Sequence, residues 1–119
     1  MRRVGVLVAA ATVAGCWASA GSTCEAPAVV KIPDGKSVTM DQLLTAQGQV
    51  KAYMAAMQAF LACIDMEADA KGTDAPAEYK AMMVDRHNMA VSEMEQIAAA
   101  FNEQVKAYKA ANPTPPKTN

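Results

Sequence analysis

At 119 residues, with 12 Asp and Glu against 11 Lys and Arg, the chain has room for one small domain. Without its first 20 residues it holds nine Lys and Arg against twelve Asp and Glu, a formal charge of −3. That balance offers no basic stripe to nucleic acid and no polybasic patch to anionic lipid.

The N-terminus carries Arg2 and Arg3, an uncharged run from Val4 to about Gly15, and small residues ending in Ala18-Ser19-Ala20. This is the three-part layout of a secretory signal peptide over residues 1–20, with the mature chain starting at Gly21. The run is shorter than the ~20 apolar residues a spanning helix needs. A competing route exists, because Val13-Ala14-Gly15-Cys16 looks like a bacterial lipobox with Val where Leu is usual. On that route Cys16 is acylated and the chain meets the membrane only through its lipid. Simple cleavage fits the small residues better. The expected location is the periplasm or the exterior, with lipid anchoring in the envelope as the alternative.

Either route leaves Cys24 and Cys63, which an exported chain most simply pairs. Residues 39–63 rise ~36 Å as helix, and the fifteen-residue segment before them reaches ~50 Å when extended, so it can fold back to Cys63. Two buried free thiols or an intermolecular bridge are the other possibilities. Residues 21–38 form this arm; Pro27 and Pro33 bar helix, Val29, Val30 and Ile32 suit an extended segment laid on a helix, and Asp34-Gly35 signals a turn.

Thr39 followed by Gln42 matches a capping box, with Asp41 in the first turn, so helix 1 spans Thr39–Lys71. Its apolar series is Leu43, Val50, Met54, Met57, Leu61, Ile64 and Ala68, interrupted by Gln47. No charged side chain lies between Ala52 and Ile64, which predicts a helix covered on several sides. Gly48 costs ~1 kcal/mol relative to Ala inside a helix unless a neighbour uses the space. Asp65, Glu67 and Asp69 fail the EF-hand pattern, since Ala70 stands where Gly is needed and Pro76 where Glu is needed; they read as a solvated end. Gly72 closes helix 1 as a left-handed residue, Thr73 or Asp74 caps helix 2, and Pro76 falls in its first turn.

Helix 2 runs to about Ala111, stopped by Asn112-Pro113, with a stripe of Tyr79, Met83, Ala90, Met94, Ile97, Phe101, Val105 and Tyr108. The short connection makes the helices antiparallel. The expected fold is all-α: an antiparallel two-helix hairpin over 39–112, an arm tied to helix 1 by a disulfide, and a disordered tail over 113–119. The apolar centre of helix 1 makes a homodimer, closing into a four-helix bundle, the expected assembly.

Ile32-Pro33-Asp34-Gly35, Gln49-Val50-Lys51-Ala52-Tyr53, Phe101-Asn102-Glu103 and Tyr108-Lys109-Ala110-Ala111-Asn112-Pro113, placed around the two cysteines, resemble a group of small exported bacterial helical proteins. The resemblance implies export and one arm-to-helix disulfide, and brings no activity with it.

Chemistry is sparse. His87, the only histidine, lies beside Asp85 and Arg86 with no nucleophile motif, so no catalytic residue is assigned and no enzyme activity is expected. A bond to a polar neighbour at the helix interface accounts for it. Met54, Met57, His87, Met89 and Met94 are candidate Cu(I) ligands, since soft thioethers and an imidazole select that ion. Methionine also fills irregular helical cores without any metal, and no cofactor is assigned. A chaperone-like envelope module, holding polypeptides on a Met-rich surface, is the other alternative. The favoured reading is a non-enzymatic structural or protein-interaction module of the cell envelope.

Overall fold

A computed structural model describes residues 24–115 as two antiparallel helices, α1 (Met40–Lys71) and α2 (Ala77–Ala111), with an extended arm laid against them. Residues 1–23, which include the expected signal peptide and Cys16, and residues 116–119 lie outside the described residues. Cys24 and Cys63 form a disulfide with their Cα atoms 5.7 Å apart, so the arm is tied to helix 1 within one chain.

Local chemistry accounts for most helix ends. The Thr39 hydroxyl accepts from the Gln42 N–H at 3.2 Å, and the Gln42 side chain accepts from the Thr39 N–H at 2.9 Å, satisfying two amides that have no helical partner. At the other end Gly72 has φ 77° and ψ −176°. Its φ is positive as expected, but its ψ puts it in the extended region reserved for glycine rather than in the left-handed helical one. α2 departs from expectation at its start. Pro76, not Thr73 or Asp74, is the N-cap, and no side chain caps the helix. Proline's fixed φ ends the turn there, its carbonyl taking the first helical bond from the Lys80 N–H at 3.1 Å. Thr73 serves the turn through its carbonyl, which accepts from Lys80 Nζ at 2.7 Å. Asn112 closes α2, its backbone and side-chain N–H groups both donating to the Tyr108 carbonyl.

The core is one elongated seam. Leu43, Ala46, Val50, Tyr53 and Met57 from α1 pack with Ala90, Ile97 and Phe101 from α2. Nearer the bend, Cys24, Ile64 and Met83 form a second cluster. The α2 stripe is as read from sequence, but the α1 stripe is rotated, because Ala46 and Tyr53 are buried whereas Gln47 is exposed and Met54 half-buried. Nor is the centre of α1 covered on several sides. Ala52, Ala55, Ala56, Ala59 and Ala62 are exposed, since one helix and one arm reach only one side of a cylinder. Alanine suits that outer face, being the strongest helix former and offering little apolar area to water.

The arm is held at both ends. Beyond the disulfide, Val30, Ile32 and Val38 pack on the seam, and Gly35 then presses against α2. A Cβ at Gly35 would collide with the Gln104 carbonyl oxygen, and its N–H donates to Gln104 Oε1 at 2.8 Å. Close approach, more than the turn, explains this glycine. Gly48 is the opposite case, with nothing within 4 Å of an added Cβ.

Candidate binding flanks

Two antiparallel helices leave a groove on each flank, and the arm occupies one. Beside it, Ala26, Met57, Phe60, Arg86, Met89, Ala90 and Glu93 enclose a gap of about 180 Å³. Arg86 organises this side. Its guanidinium lies 5.6 Å from the Phe60 ring centroid, and Nη1 meets Glu67 Oε2 at 3.3 Å, with both side chains largely shielded. Cation–π and ionic attraction thus act on one group that bridges α1 and α2. Glu67 is therefore part of the interface, which corrects its reading as a purely solvated carboxylate.

Tyr53 lies in the seam at 4% exposure. Its hydroxyl is buried, and no partner meets full hydrogen-bond geometry. Burial first, and then the nearby Glu93 carboxylate, push the phenol up to about 12. Both favour the neutral form, which sheds no charge into the core and holds its proton toward the carboxylate.

The other flank is open and carries a cleft at each end. The cleft at the bend holds about 360 Å³, with Ile64, Ala68, Tyr79 and Met83 as apolar lining and Asp65, Asp69, Lys80, His87 and Asn88 as polar lining. Lys71 sits 5.5 Å from the Tyr79 ring centroid, and the Tyr79 hydroxyl donates to the Glu67 carbonyl at 3.4 Å. His87 Nδ1 stands 3.6 Å from Asp65 Oδ1, too far for a hydrogen bond. The far cleft, about 330 Å³, is lined by Met40, Leu43, Leu44, Gln47, Phe101, Val105, Tyr108, Lys109, Asn112 and Thr114. Gln47, Met54, Leu61 and Asp65 follow at helical spacing along α1, as do His87, Met94, Ala98 and Val105 along α2, so both clefts share this flank. Between them Met54, Leu61 and Met94 are half-buried, and at the clefts themselves Met40, Leu44 and Val84 are exposed.

The five candidate copper ligands fall into three places. Met57 and Met89 line the arm-side gap, Met54 and Met94 pack against the main core, and His87 lines the bend cleft. Among the described residues no group of three His, Cys, Asp or Glu could hold a metal ion. The half-exposed His87 faces Asp65 across the hairpin, a polar neighbour at the helix interface but one beyond hydrogen-bond length. Sequence reasoning missed Tyr53, Glu93 and the bridging role of Arg86. Arg86 falls one position before His87 with Phe60 and Glu67 on a distant stretch, a pairing visible only once the helix register is known.

No protein-family model, no curated protein and no solved structure matches the chain. No helix among the described residues is long and apolar enough to cross a membrane.

Proposed function

We propose that this chain is a non-enzymatic interaction module of the cell envelope whose open flank docks a second copy of itself, giving a four-helix bundle. The observation that supports this reading is the inequality of the two flanks. The arm covers one groove, whereas the other carries Met54, Leu61 and Met94 half-buried and Met40, Leu44 and Val84 exposed. Clustered apolar groups left in water favour a partner.

An end-over-end pairing about a two-fold axis is the arrangement that charge favours. It brings Lys109 of one copy, with Met40 and Leu44, toward the bend cleft of the other, where Asp65 and Asp69 stand beside apolar lining. The same contact recurs at the other end, as a two-fold interface requires. Sedimentation velocity of the mature chain across micromolar concentrations tests it. A dimer that Leu44→Glu converts to a helical monomer is the expected result; a wild-type monomer throughout overturns the proposal.

Export is the second part of the reading, supported by the signal-peptide layout of residues 1–20, by the resemblance to small exported helical proteins, and by a disulfide suited to an oxidising compartment. Cleavage before Gly21 is expected, with acylation at Cys16 as the alternative, and the intact mass of the chain recovered from its host distinguishes them. Cu(I) binding has less support, because the candidate sulfurs and His87 are divided among three surroundings. A chaperone-like role shares the apolar flank with the dimer and loses its motive once a second copy covers it.

A further inference from the structure

Among the described residues seven large hydrophobic residues are exposed, and four of them are methionine: Met40 at 50%, Met66 at 68%, Met82 at 47% and Met89 at 71%. Core packing does not require Met at these places, because none of the four belongs to a buried cluster or packs against one. Helix formation does not explain it either, since Leu is as good a helix former. What methionine has and leucine lacks is a thioether sulfur. At the other extreme, Met57 is 1% and Met83 is 7% exposed. Both cysteines among the described residues are joined to each other, so no thiol there competes for an oxidant.

We propose that Met66, Met82 and Met89 are sacrificial oxidation sites, accepting oxygen from hypohalous acids or peroxides while the fold stays intact. With hypochlorous acid, the sulfur lone pair attacks chlorine and hydroxide leaves. Water then replaces chloride on sulfur with loss of protons, so the thioether becomes a sulfoxide and chlorine(I) becomes chloride, a two-electron exchange. With hydrogen peroxide, sulfur takes one oxygen, the O–O bond breaks and water is released. The sulfoxide is polar and reducible by methionine sulfoxide reductases. On an exposed helix face it keeps its hydration, whereas at Met57 or Met83 it would force a strong dipole into the core. Oxidation is therefore confined to sites where it leaves packing unchanged.

Met40 is set apart, because it lines the far cleft of the flank assigned to the second copy. Its protection reports on that docking, and the fate of Met66, Met82 and Met89 does not depend on it.

The test is titration of the folded, disulfide-intact chain with hypochlorous acid, followed by peptide mapping and circular dichroism. Sulfoxide is expected at Met66, Met82 and Met89 before any at Met57 or Met83, with helicity and thermal midpoint retained. In Met66→Leu/Met82→Leu/Met89→Leu, which leaves both core clusters intact, the same dose is expected to oxidise the buried methionines and cost helicity. Oxidation of Met57 or Met83 in step with the exposed three overturns the proposal. So does a triple variant that withstands the same dose as well as the wild type. Met40 oxidising as fast as Met89 overturns the docking of a second copy and leaves this proposal standing.

Discussion

The two flanks of the hairpin border the same seam and differ in what covers them. On one, an extended segment lies along the helices, fastened by Cys24–Cys63 at one end and by the Gly35–Gln104 contact at the other. On the other, Met54, Leu61 and Met94 remain half in water. An extended segment lacks a helix's ladder of hydrogen bonds to repay its lost conformational freedom, at roughly 1–2 kcal/mol per residue, and the arm's internal bonds are confined to the turn at Asp34–Ser37. Three apolar contacts from Val30, Ile32 and Val38 offset only part of that, so both ends have to be fixed. Among the described residues the open flank has no such segment, and a second copy is the cover proposed for it.

The largest break in this comparison is expected from removing the covalent tie. Cys63→Ser should lower unfolding free energy by about 4 kcal/mol on the chain-entropy model for a separation of 39 residues. Urea denaturation measures it, and a loss under about 1 kcal/mol would mean that Gly35 and the apolar contacts hold the arm unaided.

Next in size is a pH effect centred on Tyr53. Its folded value of about 12 lies above the ordinary 10.0, so the folded chain binds the proton more tightly than the unfolded one. The resulting stability is fully present below pH 10 and is lost as pH rises through about 12, on the order of 2 kcal/mol in all. Denaturation midpoints from pH 9 to 12 should therefore fall further for the wild type than for Tyr53→Phe. Parallel curves would remove Tyr53 as the cause.

Gly35→Ala comes third. The added methyl meets backbone at Gln104, which cannot swing aside as a side chain could. A cost of about 2 kcal/mol, in the range for overpacking, should be concentrated in the arm. Faster amide exchange at residues 28–36 with α1 unchanged is the signature, and uniform destabilisation would argue against two-point fastening. The smallest effect belongs to the outer face. Gly48→Ala should raise stability by up to ~1 kcal/mol, because its Cβ enters open space within a helix. A loss instead would show that another surface comes close to Gly48.

The contrast between those two glycines also separates what sequence made visible from what it hid. In sequence, Gly48 suggests close approach inside a helix and Gly35 a turn after Asp34, and the structure assigns the close approach to Gly35. Where backbone nears backbone depends on how the arm meets α2, seventy residues away along the chain, and no local pattern encodes it. The burial of Tyr53 and Ala46 is hidden in the sequence for a similar reason. The uncharged centre of α1 supplies no polar face against which to orient an apolar one, so a stripe through Gln47 and Met54 fitted nearly as well. The capping box at Thr39 needed no such context, since all of its partners lie within four residues.

By itself, the sequence determined the number, length and direction of the helices, the arm that prolines keep extended, and the two cysteines able to join. These follow from short-range effects: backbone amides that need partners, proline's fixed φ, and a linker too short for anything but reversal. Tertiary structure alone decided which side of α1 became the core, which glycine backbone presses against, how Arg86 bridges Phe60 and Glu67, and which methionines stay in water. Those depend on the azimuth and register at which elements meet, and a helix equally apolar in several directions acquires its inner face only when a neighbour chooses one.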